Sequence, residues 1–161
     1  MEKKTYTLTM LVENEPGVTA RITGLFAGRG YNIDTICGAP TANPKMSRIT
    51  ITTTVSPLML EQCMKQIKRL VNVIKLRDMT VEKAVRREMA MLCVKARPEN
   101  QKELKALIDR YQGKLLDEGQ QHFIFEVTGD ETVVDRLIQE LEPYGVKKLA
   151  RSGVLALYKE N

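Results

Sequence analysis

Among 161 residues there is no tryptophan, and only one histidine, three phenylalanines and five tyrosines. So few aromatics leave little surface for bases to stack on, which makes RNA binding a distant reading. The lone histidine, His122, sits inside a strand-like alternation, so general acid-base and nucleophilic catalysis lack the grouped titratable side chains they need. A structural or exposed role is expected for it. Cysteine is equally sparse. Cys37, Cys63 and Cys93 are odd in number, widely spaced and without a Cys-x-x-Cys pair, which argues against a disulfide framework and against a structural zinc site. A reducing cytoplasm fits that usage. No apolar run nears the length of a membrane span, and Met1-Glu2-Lys3-Lys4 leads straight into a strand pattern, so neither export nor membrane insertion is expected. There is no Walker-type run, and Gly28-Arg29-Gly30 lacks a dinucleotide glycine and follows a helix where that fingerprint precedes one.

What is present is ordinary globular material, 43% hydrophobic and 28% charged. The net charge of +5 comes from pairs such as Lys68-Arg69, Arg86-Arg87 and Lys147-Lys148 with acids between them, a pattern of solvated faces and not of a nucleic-acid surface. Tyr6, Leu8, Met10 and Val12 alternate with threonines as a half-buried strand over 5–12. Val18, Ile22, Leu25 and Phe26 then repeat at helical spacing until Gly28-Arg29-Gly30. Strands are expected over 31–39 and 49–55 as a hairpin, a helix from Ser56-Pro57 carrying Leu60, Cys63, Ile67 and Leu70, and a strand over 71–76. After the charged stretch 80–88 the same grammar returns: strand 89–96, a helix from Pro98, strands 114–117 and 122–128, a helix capped by Asp130, and strands 146–150 and 154–158. The expectation is an α+β chain of two ferredoxin-like βαββαβ domains in tandem, residues 1–80 and 81–161.

One run holds the clearest candidate site. Asn14-Glu15-Pro16-Gly17-Val18 lies between the first strand and the first helix, with Pro16 expected at the first helical position and Asn14 as a cap. Gly17 brings no side chain to the helix start, so a carboxylate has room to reach free N–H groups at the positive end of the helix dipole. A plain strand-to-helix turn accounts for the same residues.

Leu11-Val12-Glu13-Asn14-Glu15-Pro16-Gly17-Val18, Gly24-Leu25-Phe26, Arg29-Gly30-Tyr31-Asn32-Ile33, Pro40-Thr41 and Ser47-Arg48-Ile49-Thr50-Ile51, taken in order, resemble the small regulatory subunits of acetolactate synthase, also called acetohydroxyacid synthase. Arg86-Arg87-Glu88-Met89 and Ala150-Arg151-Ser152-Gly153 extend the resemblance into the second half. Thr19 and Ile36-Cys37-Gly38 depart from the family's usual residues. The resemblance implies that the first domain is an ACT domain that forms a homodimer and binds an inhibitory branched-chain amino acid, valine first. One copy offers Asn14, Gly17 and Val18 to the ligand carboxylate; the other brings Asn32 and Ile33 to its ammonium and side chain. The second domain is implied to activate the catalytic (large) subunit, which holds thiamine diphosphate, a divalent metal and FAD, while this chain binds no cofactor or metal and has no catalytic residue. Nucleic acid and membrane are not expected among its partners. The alternative is a free-standing ACT-type sensor acting on another enzyme or on transcription, although no helix-turn-helix or basic arm is evident.

Overall fold

Threonine and large apolar residues alternate through β1 (Lys4–Glu13), which sends Leu8, Met10 and Val12 to one face and Thr5, Thr7 and Thr9 to the other. The computed structural model describes residues 2–81 and 83–160. Its chain divides into two units, Met1–Val85 with Gly153–Asn161, and Arg86–Ser152. The boundary thus falls at Val85/Arg86, and the last segment groups with the first unit.

In the first unit β1 is followed by α1 (Val18–Ala27), β2 (Thr35–Pro40), β3 (Met46–Val55), α2 (Pro57–Ile67) and β4 (Val73–Asp78). The strand order is β2-β3-β1-β4, antiparallel throughout. Leu8, Met10 and Ile51 from the sheet pack with Ile22 and Phe26 of α1 and Ile67 of α2, none more than 1% exposed. Ser56 caps α2, its Oγ accepting from the Met59 N–H at 3.4 Å. Residues 31–34, expected as the start of the second strand, stay outside it. There Asn32 donates to Asp34 at 2.8 Å, and the Asn32 carbonyl accepts from the Thr53 hydroxyl at 2.6 Å. These local bonds compete with the ladder, so β2 begins only at Thr35.

The second unit repeats the plan with β5 (Ala84–Lys95), α3 (Gln101–Arg110), β6 (Lys114–Glu118), β7 (His122–Gly129), α4 (Glu131–Leu141) and β8 (Val146–Arg151). Its order, β6-β7-β5-β8, is the first unit's with each strand replaced by its counterpart. Phe123 and Phe125 of β7 fill the core with Leu104 of α3 and Leu137 of α4. Asp130 caps α4 as expected, accepting from the Val133 N–H at 2.9 Å. Pro98 does not open α3. Asn100 is the residue before it, and its Oδ1 accepts from the Arg97 N–H at 2.8 Å.

A final strand, β9 (Leu155–Tyr158), pairs with β5, whose first residues Ala84 and Val85 belong to the first unit. Thr7, Thr9, Thr50 and Thr52 are buried although they face away from α1 and α2, and Tyr158 of the returning segment lines a cavity with Thr9. Gly153 lies against Thr35, so close that an added β-carbon would sit 3.2 Å from the Thr35 Cβ. Tyr158 lies over Lys75 and Arg77 of β4, at 5.3 and 4.1 Å from ring centroid to cation. Lys75 and Arg77 are the register partners of Leu11 and Thr9, so Tyr158 lies on the threonine side of the β1–β4 pair.

Candidate effector site

Glu15-Pro16-Gly17-Val18 forms a turn closed by Val18 N–H donating to the Glu15 carbonyl at 3.4 Å. Gly17 has φ 85° and ψ −8°, the third position of a type II turn, with Pro16 in the second position that suits its fixed φ. Both the expected helix start and the expected cap are corrected here. Gly17, not Pro16 or Asn14, immediately precedes α1, and no side chain caps the helix. The Asn14 side chain instead donates to the Pro44 carbonyl at 2.9 Å, and its N–H to the Lys45 carbonyl at 2.8 Å, tying the turn to the β2–β3 loop. These bonds hold Asn14 to the β2–β3 loop, three residues ahead of the cap position at Gly17. The N–H groups of Thr19 and Ala20 consequently meet no acceptor among the described residues.

A cavity of about 400 Å³ opens beside this turn. Val12, Val18, Ile36, Ala39, Pro40 and Ile49 give it apolar walls, and Glu13, Asn14, Glu15, Thr19 and Ser47 give it a polar side. Of the residues singled out from sequence, Asn14 and Val18 line it, with Gly17 between them in the turn. Asn32 and Ile33 do not. Asn32 is bonded to Thr53, the register partner of Tyr6, whereas Glu13 opposes Met46 at the other end of β3. Seven rungs at about 3.3 Å put these ends about 23 Å apart. One chain therefore does not bring Asn32 and Ile33 to Asn14, Gly17 and Val18. Sequence reasoning missed Glu13 and Glu15, which lie within the same quoted run, and the wall at Ala39 and Ile49, while Ile36 and Gly38 line the cavity within the stretch already noted as departing from the family.

A larger cavity, about 630 Å³, lies in the second unit with Arg87, Arg110 and Arg136 on its wall. Part of its charge is already engaged. Arg110 is paired with Glu140, and the Asp130 carboxylate, held below its ordinary pKa by the Thr132 hydroxyl and the Val133 N–H, already occupies the start of α4. His122 faces Asp117 at 3.1 Å and is more than a third exposed. Cys63 is buried, which pushes its thiol up to about 11 and makes it a poor nucleophile. Among the described residues no group of three or more histidine, cysteine or acidic side chains is placed to hold a metal, and no helix is long and apolar enough to cross a membrane.

The family described as the small subunit of acetolactate synthase matches residues 87–160, and the ACT domain of such small subunits matches 8–75. A probable acetolactate synthase small subunit of Archaeoglobus fulgidus is 38% identical over 156 residues, covering 97% of this chain and 98% of its own. The chain belongs to the acetolactate synthase small-subunit family. The small subunit of Mycolicibacterium smegmatis is 36% identical over 153 residues, 95% of this chain and 90% of the relative. The crystal structure of the Thermotoga maritima small subunit superimposes with a TM-score of 0.87 at 33% identity, covering 98% and 99% of the two chains. Two tandem βαββαβ units with an ACT domain first, as expected from the sequence, are thus the fold of this family.

In this member of the family, the second-half residues that carried the resemblance form an ionic clamp. Glu88, only 1% exposed, receives two hydrogen bonds from the Arg151 guanidinium, at 2.8 and 2.6 Å, and Arg151 also reaches Asp135 at 2.8 Å. The clamp joins β5 to β8, and the Glu88 bonds raise the Arg151 pKa further above its ordinary value. Ser152 completes it, its Oγ accepting from the Met89 N–H at 3.0 Å.

Proposed function

We propose that this chain is the regulatory subunit of acetolactate synthase, raising the activity of the catalytic subunit and making it sensitive to a branched-chain amino acid, valine foremost. The supporting observation is the uncapped start of α1 beside an apolar-walled cavity. The effector carboxylate accepts from the Thr19 and Ala20 N–H groups, at the positive end of the helix dipole. Its branched side chain lies against Val18 and Ile49, and burying such a group is worth about 1.5 to 3 kcal/mol, enough to select against glycine.

Asn14, Gly17 and Val18 make one half of the site, and Asn32 and Ile33 of a second copy make the other. The span of about 23 Å between the halves within one chain is the reason two copies are needed. The homodimer forms through the first units, and the second unit, with the remainder of residues 81–161, engages the catalytic subunit. Thiamine diphosphate, divalent metal and FAD belong to that cytoplasmic partner. Inhibition is a linkage effect: the amino acid binds better to the conformation that activates less.

Calorimetric titration of the full chain with valine, isoleucine, leucine and glycine tests the pocket, and assay of the catalytic subunit with and without the chain tests activation. Saturable binding of a branched-chain amino acid, with one or two sites per dimer, and a rise in activity are expected. Failure of all four to bind rejects the effector site; no change in activity rejects the regulatory role.

A further inference from the structure

Asn72 lies between α2 and β4, outside every motif that the sequence brought forward, and it is buried, with 9% of its surface exposed. Its carbonyl accepts from the Glu13 N–H at 2.9 Å. Its side-chain nitrogen donates to the Glu13 carboxylate at 2.6 Å and approaches the Glu15 carboxylate at 3.5 Å, while its side-chain oxygen accepts from the Arg21 guanidinium. Four attachments thus converge on one residue, from the end of β1, the turn and the second turn of α1. Opposite it, Asn14 fastens the same turn to Pro44 and Lys45.

We propose that Asn72 is the positioning residue of the effector turn, fixing where the N–H groups of Thr19 and Ala20 point without touching the ligand. This rests on the effector reading above. An amide suits the place because it alone supplies both partners: N–H for two neighbouring carboxylates and a carbonyl for a guanidinium. Removing the side chain leaves Glu13 and Glu15 without their shared donor and frees Arg21, so the turn and α1 lose their common reference. The affected groups are the main-chain cradle of the carboxylate, which every amino acid shares. Affinity should therefore fall for all effectors by one factor, while the selectivity set by the apolar wall stays as it was.

The test is titration of full-length wild type and Asn72→Ala with valine, isoleucine and leucine, together with hydrogen exchange of the bonded turn amides, those of Glu13, Asn14 and Val18, in both proteins without ligand. Wherever wild type binds, the variant is expected to bind at least fivefold more weakly, with the ratios among the three unchanged, and its turn amides exchange at least tenfold faster while those of β3 keep their protection. Unchanged affinity, or altered ratios among the three, overturns the assignment. Failure of wild type to bind any of them overturns the effector reading instead; the exchange comparison then decides the role of Asn72, since equal protection of the turn in both proteins overturns it with no ligand involved.

Discussion

Gly17 can be probed so that backbone strain and charge separate. An added β-carbon there meets nothing closer than the Arg21 Nη2 at 3.9 Å, so glycine is required by its φ of 85° and not by crowding. An L-residue in that conformation costs about 1 to 2 kcal/mol, less for asparagine and aspartate, which tolerate it best. Gly17→Asn and Gly17→Asp therefore carry similar strain and differ by one negative charge. Two like charges about 4 Å apart repel by about 1 kcal/mol in water and about 4 kcal/mol at the effective dielectric of a protein surface. Arg21 beside the new carboxylate offsets part of that, which places the expected difference near 1.4 kcal/mol, a factor of about ten. Calorimetry with valine at low and moderate salt should find Gly17→Asp about tenfold weaker than Gly17→Asn, with the gap narrowing as salt rises. Feedback inhibition of the assembled enzyme should weaken in the same order. Equal affinities for the two variants, in a chain that still folds, would show that no ligand carboxylate approaches this turn.

Asn32→Ala should weaken valine binding about tenfold, the value of one hydrogen bond to a charged group, while activation of the catalytic subunit persists; loss of activation with binding intact would reverse the assigned roles. Arg151→Ala leaves Glu88 buried without its partner and should cost the second unit about 3 kcal/mol in urea unfolding, read from hydrogen exchange in β5 and β8. A loss below about 1 kcal/mol would remove the clamp from the account. At pH 8 an ordinary cysteine is about one quarter thiolate, but Cys63, its thiol pushed up to about 11 by burial, is about one part in a thousand. Its alkylation should be at least about a hundredfold slower in the folded than in the unfolded chain, and equal rates would contradict its burial. Tyr158→Ala removes two cation contacts worth about 0.5 to 1 kcal/mol each and should lower the first unit's stability by about 1 to 2 kcal/mol. Unchanged stability would mean that the returning tail does not hold the threonine face.

Features decided within a few residues were legible in the sequence. Ser56-Pro57 and Asp130 announce their helices, because the cap and the N–H it satisfies are three positions apart. The alternation in β1 gave its buried face for the same reason. What escaped was set by pairings far apart in the chain. Glu88 reads as part of a charged, solvated stretch until Arg151, 63 residues later, is brought beside it. Thr7, Thr9, Thr50 and Thr52 look like a solvent face in the sequence and are buried in the structure. At the candidate site the run 14–18 identified the place, but the cap was misassigned, since the Glu15–Val18 turn moves the helix start to Gly17 and Asn14 is tied instead to Pro44, a neighbour the sequence does not reveal. Asn72 had no local signal at all.

The proposed regulation requires only a small coupling between the first unit and the second. The chain passes between them covalently at Val85/Arg86 and at Ser152/Gly153. Each passage is fastened on both sides. Ser152 N–H donates to the Met89 carbonyl at 2.9 Å within the second unit, and Lys159 N–H to the Lys83 carbonyl at 2.7 Å within the first. A ligand with equal affinity for the activating and less activating states would shift nothing, however tightly it bound. A tenfold shift needs a difference of only about 1.4 kcal/mol, close to the net worth of one hydrogen bond. Neither core has to repack for that. On the proposed regulation, gaining or losing one attachment of the turn, at Asn14 or at Asn72, supplies a difference of that size, and these attachments lie at the ends of β1, α1 and β4.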